Sequence, residues 1–165
     1  MKSVEIAEAE VELMALQRSN MLVIRPISTV DREAWLTLWR EYLAFYHTWV
    51  SDEVTEATWR RLVAGDRNQH GLIAIQNSHD AIGFANYLFH RSTWAIHDYC
   101  YLEDLFVARM ARGHGVGRRL VERVFEEADK QKASRVYWLT NIENTEARKL
   151  YDSLGTVTPF LKYER

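Results

Sequence analysis

The spacing of apolar and polar residues along the chain predicts alternating helices and strands. Apolar residues recur every three or four positions in several segments, which is typical of amphipathic helices. The predicted helices are 3–17, one after Asp31, one after Ser51 or Thr55, one from the turn at 112–117 to Gln131, and one from Asn144 to Leu154, closed by Gly155. Shorter apolar runs bounded by turn residues predict strands at 21–26, 71–76, 81–89, 99–107, 135–140 and 160–163. This order indicates one mixed α/β domain.

The composition excludes several classes of protein. With 47% hydrophobic residues and a net charge of −2 over 165 residues, the chain can bury a core and is not disordered. No uncharged apolar run approaches the ~18 residues of a membrane span, and Cys100 is the only cysteine. The near-neutral charge gives no support to nucleic-acid binding, and the acidic start lacks the apolar region of a secretory signal. We therefore expect a cytoplasmic protein with no membrane or nucleic-acid partner.

A glycine-rich turn between a predicted strand and a predicted helix carries the main chemical signal. Gly113, Gly115 and Gly117 stand within five residues, in the segment Arg-Gly-His-Gly-Val-Gly at 112–117. Glycines let a ligand approach the backbone, and the free N–H groups at a helix N-terminus favour a phosphate. The alternative is a turn that only reverses the chain. The segment lacks the lysine of a P-loop and the glycine spacing of a Rossmann fingerprint.

The turn and its flanking segments resemble the motifs of GNAT N-acetyltransferases. The matching residues are Leu-Glu-Asp-Leu-Phe-Val at 102–107, Arg112, Gly115 and Gly117, Val-Tyr-Trp-Leu-Thr at 136–140, and Asn144, Ala147, Leu150 and Tyr151. Within this superfamily the chain is most similar to the histone, polyamine and D-amino-acid acetyltransferases. The resemblance implies one GNAT domain over 21–165, with helices on both faces of a mixed twisted sheet and a splay between two central strands. Residues 1–20 are interpreted as a helical extension that acetyl transfer does not need.

The resemblance also implies that acetyl-CoA is the cofactor. In this family the pantetheine arm lies between two strands, here 101–107 and 135–140. The residues whose backbone would pair with the arm are Leu105, Phe106 and Val107. The residues that would wrap the pyrophosphate are Arg112, Gly113, His114, Gly115, Val116, Gly117 and Arg118. The residues expected to meet the arm or the phosphates from the following helix are Asn144, Arg148 and Tyr151.

Acetyl transfer to an amine requires a base, because an ammonium with a pKa near ~10.4 is almost wholly protonated at pH 7. Glu103 stands in an apolar strand, where an acid is costly without a partner or a task, and the resemblance places the base there. Because side chains alternate along a strand, Asp104 is expected on the opposite face. Tyr151 occupies the family's position for the acid that protonates the CoA thiolate. The alternatives are an arginine partner for Glu103 and a packing role for Tyr151.

The acceptor amine is expected beside the two helices that follow residue 26. Aromatic residues stand there among several acidic ones, and aromatic faces with carboxylates suit a cationic amine. The predicted substrate residues are Tyr42, Tyr46, His47, Trp49 and Glu103. A core packing role is the alternative for Tyr42 and for the neighbouring tryptophans. The histidines show no paired metal-ligand spacing, so no metal is expected.

The sequence therefore indicates an acetyl-CoA-dependent N-acetyltransferase. Its acceptor is a primary amine of a polyamine, amino acid, aminoglycoside or basic protein tail, which attacks directly in a ternary complex. A covalent route through Cys100 is disfavoured because Asp98 and Glu103 would raise the pKa of its thiol. Two other functions stay open: a catalytically weak acetyl-CoA-binding sensor or scaffold of the same fold, and a plain nucleotide-binding domain.

A homodimer is also predicted. Aromatic residues make up 12% of the chain, which is high enough for some of them to be exposed. The predicted last strand, 160–163, has little chain after it to cover its edge. Members of the branch that the chain resembles often pair through their C-terminal strands.

Overall fold

A five-stranded sheet organises the part of the chain that the computed structural model describes, residues 21–65, 69–77 and 79–165. The predicted helix at 3–17 lies outside these residues. The strands are β1 (Val23–Pro26), β2 (Gln69–Gln76), β3 (Asp80–His90), β4 (Tyr99–Val107) and β5 (Arg135–Trp138). They lie side by side in chain order. The first four pair antiparallel, and β5 runs parallel to β4. The predicted mixed α/β domain is confirmed.

Helices cover both faces of this sheet. The α-helices are α1 (Arg32–Phe45), α2 (Asp52–Ala64), α3 (Val116–Lys130) and α4 (Thr145–Tyr151). Local caps set the limits of α2: the Ser51 hydroxyl accepts a hydrogen bond from the Val54 N–H at 3.3 Å, and Gly65 ends the helix with φ of 63°. Of the two capping residues that the sequence offered for this helix, Ser51 is therefore the one used.

Two separate cores lie on the two faces of the sheet. On one face, α3 buries Leu120 and Val121 completely against the central strands. On the other, Trp35 and Trp39 of α1 and Trp59 of α2 are buried against the sheet. The ring centroids of Trp35 and Trp39 lie 5.3 Å apart in a stacked pair. These tryptophans are core residues, as the packing alternative proposed.

The C-terminal end of the chain departs from the prediction. Residues 160–163 form no strand, and the side chains of Phe160 and Leu161 are exposed. A strand forms only where a neighbour offers backbone hydrogen bonds, and within the described sheet β5 is the edge, with nothing paired beyond it. The segment has strand-forming residues but pairs neither with this free edge of β5 nor with another described strand.

The last helix and strand are also shorter than predicted. β5 ends at Trp138 instead of residue 140, and α4 ends at Tyr151 instead of Leu154. Gly155 is not a left-handed helix cap. It lies against the Trp138 ring, where a Cβ would stand 2.9 Å from a ring carbon. The glycine thus serves close packing between the end of α4 and the end of β5.

Candidate active site

The sheet opens between β4 and β5. Their pairing ends at Leu102 and Trp138, although β4 continues to Val107. No described strand pairs with β4 on this side beyond that point, so the backbone of 103–107 can pair with a ligand there. One acceptor is already engaged, because Arg112 Nε donates to the Val107 carbonyl at 2.9 Å. The opening lies where the splay was predicted, but β5 is the edge strand of the described sheet instead of a central one.

The glycine-rich turn leaves a row of backbone donors unused. Gly113 and Gly115 have φ of 80° and 78°, a conformation that residues with a Cβ rarely adopt. Within the described residues, no N–H group of 113–118 donates a backbone hydrogen bond, and α3 begins at Val116. No atom beyond the chain neighbours lies within 4 Å of where a Cβ would stand on either glycine. Free donors, the positive helix end and open space together fit a phosphate.

The charged residues of the turn have partners inside the protein. The Arg112 guanidinium lies over the Phe45 and Phe106 rings, 5.2 and 5.6 Å from their centroids. Arg118 donates to the Ser153 hydroxyl at 2.6 Å. The hydrogen bond to Ser153 holds the Arg118 charge at the first turn of α3, next to the free N–H groups. His114, in contrast, is exposed at the tip of the turn.

The two polar residues predicted at α4 have local roles in this structure. The Asn144 side-chain oxygen accepts a hydrogen bond from the Ala147 N–H at 3.4 Å and caps the helix. Arg148 donates to the Ile142 carbonyl at 3.0 Å. Both contacts stabilise the start of α4, which carries Tyr151 at its other end.

A β-bulge in β4 sets the direction of two acidic side chains. Asn86 of β3 pairs with Asp104, and Tyr87 pairs with Leu102, so Glu103 is an extra residue in the ladder. The prediction that Asp104 faces away from Glu103 is therefore wrong. Both residues line one cavity, on the face of the sheet that α1 and α2 cover. A bulge interrupts the alternation of side chains on which that prediction depended.

Asp104 is a carboxylate held by two donors. Tyr42 Oη donates to its Oδ1 at 2.7 Å, and Asn86 Nδ2 donates to its Oδ2 at 2.9 Å. Burial raises the pKa of Asp104, while both hydrogen bonds act to lower it. Desolvation and then the charge of Asp104 raise the pKa of Glu103. Glu103 stays open to solvent and binds a proton more readily than an ordinary glutamate, as a general base near neutral pH requires.

Tyr151 lies beside the opening between β4 and β5. Its ring packs on Trp138, the last residue of β5, with 5.5 Å between the centroids. Desolvation and then the neighbouring Tyr46 raise the pKa of Tyr151 to about 12. The phenol therefore keeps its proton at neutral pH and can act as a proton donor.

A cavity of about 210 Å³ lies between α2 and the middle of the sheet. Its lining residues are Trp39, Thr58, Arg61, Leu62, Gln69, Asn86, Tyr87, Glu103 and Asp104. Asn86 is only 3% exposed, and its Oδ1 has no hydrogen-bond partner among the described residues. An unsatisfied buried acceptor costs free energy unless a ligand or water supplies a donor. The cavity thus combines carboxylates, an arginine and a spare acceptor.

Several of these lining residues could not be predicted from the sequence. Thr58, Arg61, Gln69 and Asn86 are polar residues in a helix and two strands, and no motif marks them. One weak signal was available, because Thr58, Arg61 and Leu62 are spaced to share one face of α2. The pattern does not reveal that this face meets the bulge of β4, because that contact joins segments some forty residues apart in the sequence.

The predicted acceptor residues fall into two groups. Tyr42 reaches the acidic pair through its hydrogen bond to Asp104, and Tyr46 packs edge-on against Tyr42 at 5.1 Å. His47 and Trp49 lie in the connection between α1 and α2, where Trp49 is 80% exposed. None of these four residues lines the cavity; of the five predicted substrate residues, only Glu103 does. The structure therefore brings only the two tyrosines towards the acidic pair.

Cys100 is placed where it cannot serve as a nucleophile. Its side chain is fully buried in the core beneath α3. Burial raises the pKa of the thiol to about 12. A thiolate is therefore scarce at neutral pH, and a covalent acetyl-cysteine route lacks its reactive form.

Two other kinds of feature are absent from the described ranges. No group of three His, Cys, Asp or Glu side chains within 21–65, 69–77 and 79–165 could hold a metal ion. None of the helices in those ranges is long and apolar enough to cross a membrane.

Comparison with known proteins defines the family. The model of the acetyltransferase (GNAT) family matches residues 33–156. This range contains the glycine-rich turn, the bulged β4 and Tyr151, and the chain belongs to this family. It is a GNAT N-acetyltransferase, and acetyl-CoA is the acetyl donor that this family uses to modify amines.

Named relatives act on different amines. The D-amino-acid N-acetyltransferase HPA3 of Saccharomyces cerevisiae is 36% identical over 148 residues, which cover 89% of this chain and 92% of that protein. The thialysine N-epsilon-acetyltransferase of Bos taurus is 34% identical over 74 residues, 45% of this chain and 43% of that protein. The structure of the aminoglycoside acetyltransferase AAC(6')-Iy with a bisubstrate analogue gives a TM-score of 0.77 at 21% identity, covering 88% of this chain and 98% of that one. This last likeness shows the shared fold.

Proposed function

We propose that Glu103 and Tyr151 are the base and the acid of acetyl transfer from acetyl-CoA to an amine held in the cavity beneath α2. The observation that supports this most is the position of the bulge. The segment of β4 that turns Glu103 and Asp104 towards the cavity is also where β4 loses its pairing with β5. An acceptor on the sheet face and a donor in the opening would meet at this segment.

In the proposed reaction, Glu103 accepts a proton from the ammonium, directly or through water. The neutral nitrogen attacks the carbonyl carbon of the thioester and a C–N bond forms. The nitrogen then releases its second proton to solvent as the C–S bond breaks. Tyr151 gives its proton to the departing sulfur and regains one from solvent. Backbone N–H groups of β4 stabilise the negative charge that develops on the acetyl oxygen. The buried Cys100 supports direct attack in a ternary complex, without an acetylated enzyme.

The proposed binding of acetyl-CoA uses the backbone more than side chains. The thioester that it brings is the activated acetyl group of the reaction. The N–H groups of 113–118 would bind the pyrophosphate at the start of α3, with Arg118 beside them. The backbone of Leu105, Phe106 and Val107 would pair with the arm. Asn144 and Arg148 would contribute through the position of α4, since their side chains hold its N-terminal end.

Turnover of acetyl-CoA with a panel of amines tests this function. The panel contains both enantiomers of several amino acids, because the yeast relative is named for D-amino acids, together with spermidine, an aminoglycoside and a lysine peptide. We expect release of CoA with at least one amine, and a loss of at least ~10-fold in Glu103→Gln. Asp98→Asn is the matched control, because Asp98 pairs with Arg91 at 3.4 Å and lines no part of the acceptor cavity. A chain that binds CoA by calorimetry but acetylates none of these amines would refute the proposal.

A homodimer is part of the proposal. The open edge of β5 and the exposed side chains of Phe160, Leu161 and Tyr163 support it. The C-terminal segment of one copy would cover the β5 edge of the other. Light scattering should then give twice the chain mass of 19.4 kDa at micromolar concentrations, and the monomer mass throughout would contradict this.

A chain that starts at Met21 should keep its turnover.

A further inference from the structure

One residue that lines the cavity beneath α2, the exposed Arg61, carries a positive charge that a plain amine does not need. Arg61 is on the same wall as Thr58 and Leu62, and the wall of β4 carries Glu103 and Asp104. Within the described residues, Arg61 makes no hydrogen bond or salt bridge with another side chain. Its neighbour Arg60 differs, because its Nε donates to the Glu56 carbonyl at 3.4 Å and it does not line the cavity.

The charges of the cavity therefore match a molecule with both signs. Glu103, Asp104 and the unpaired Oδ1 of Asn86 offer acceptors for an ammonium group. Arg61 offers a guanidinium, which binds carboxylates through paired N–H donors. A polyamine or an aminoglycoside brings several positive charges, and Arg61 would repel them. The volume of about 210 Å³ suits a small acceptor.

We infer that Arg61 binds the carboxylate of an amino-acid acceptor, so that free amino acids are preferred over amines without a carboxylate. This inference rests on the proposed function, because it takes the cavity to be the acceptor site. The carboxylate is present in the ground state and in the transition state alike. Arg61 is therefore expected to act on KM more than on kcat.

A substrate pair tests the inference. Leucine and 3-methylbutylamine differ only in the carboxylate. For each substrate, the rate of wild type is compared with the rate of Arg61→Gln. The different amine pKa values of the two substrates therefore do not affect the comparison. Both leucine enantiomers are measured, and the one turned over faster is used. We expect Arg61→Gln to raise the KM for leucine at least ~10-fold with kcat within about threefold, and to leave 3-methylbutylamine nearly unchanged. Arg61→Lys should recover part of the loss, and Arg60→Gln should behave as wild type.

The outcomes separate the inference from the function on which it rests. If Arg61→Gln affects both substrates equally, or neither, Arg61 does not bind the carboxylate. If wild type acetylates 3-methylbutylamine or spermidine far better than leucine, the inference is also overturned, while the proposed function stands. If wild type acetylates nothing, the proposed function fails. Calorimetry of leucine binding in the presence of CoA then tests Arg61 by itself. The inference stands if wild type binds leucine and Arg61→Gln does not. It fails if wild type does not bind leucine, or if Arg61→Gln binds it equally well.

Discussion

The substitution Tyr151→Phe removes the proposed proton donor with little change to the protein. It deletes one oxygen, and the ring keeps its packing on Trp138 at 5.5 Å. No hydrogen bond joins the Tyr151 hydroxyl to another described residue. Its removal therefore leaves no donor or acceptor without a partner, and the free energy of unfolding should change by less than about 1 kcal/mol.

The pKa of about 12 at Tyr151 keeps the phenol protonated at the pH of the assay. At pH 7.5, far below this pKa, nearly every molecule carries the proton that the thiolate needs. General acid catalysis contributes typically ~10²–10⁴-fold. We expect kcat to fall at least ~30-fold, which corresponds to about 2 kcal/mol of the barrier. The Kd of acetyl-CoA should change little, because the hydroxyl acts on the departing sulfur and not on bound acetyl-CoA.

The assay follows release of the CoA thiol at saturating acetyl-CoA, and a pre-steady-state measurement establishes that chemistry limits the rate. Tyr99→Phe is the matched control, because Tyr99 lies at the far end of β4, beside His90. Raising the pH should not restore Tyr151→Phe, since the missing group is an acid. If the variant turns over normally while chemistry limits the rate, Tyr151 is a packing residue and water or another group protonates CoA.

Three further predictions address the base, the turn and the fold. Glu103→Gln should lose less activity as the pH approaches the amine's own pKa, where neutral amine is plentiful; a loss independent of pH contradicts the base role. Gly115→Ala should weaken CoA binding at least ~10-fold, about 1.4 kcal/mol by calorimetry, whereas Gly65→Ala, with a similar positive φ elsewhere, should bind normally. Asp31→Asn should lower the free energy of unfolding at pH 7 by about 2 kcal/mol, because two 2.7 Å hydrogen bonds from Arg25 lower the pKa of Asp31 to about 2. Urea titrations should show that this difference in the free energy of unfolding between wild type and Asp31→Asn disappears as the pH falls from about 4 to 2. A difference that stays the same at every pH would contradict the role of the Asp31 carboxylate.

Local features of this chain could be predicted from the sequence alone. The helix after Ser51 follows from its capping serine, and α3 follows from the apolar spacing after the glycine-rich turn. Both signals act over a few positions. The turn at 112–117 is equally local, because glycine permits the left-handed φ at Gly113 and Gly115 in any surrounding fold. This turn, with the segments 102–107 and 136–151, also carried the family resemblance, so the class of enzyme was within reach of the sequence.

Contacts between distant segments decided the rest. The bulge that turns Glu103 and Asp104 to one face depends on how β4 pairs with β3, and the pattern of β4 reads as a regular strand. Arg61 resembles any surface arginine of α2 until the fold brings its side of the helix against that bulge. The segment 160–163 has the residues of a strand but pairs with no strand of the described sheet, although the edge of β5 is free. The register and pairing of strands depend on residues far apart in the chain, whereas apolar periodicity and helix capping depend on a few neighbouring residues.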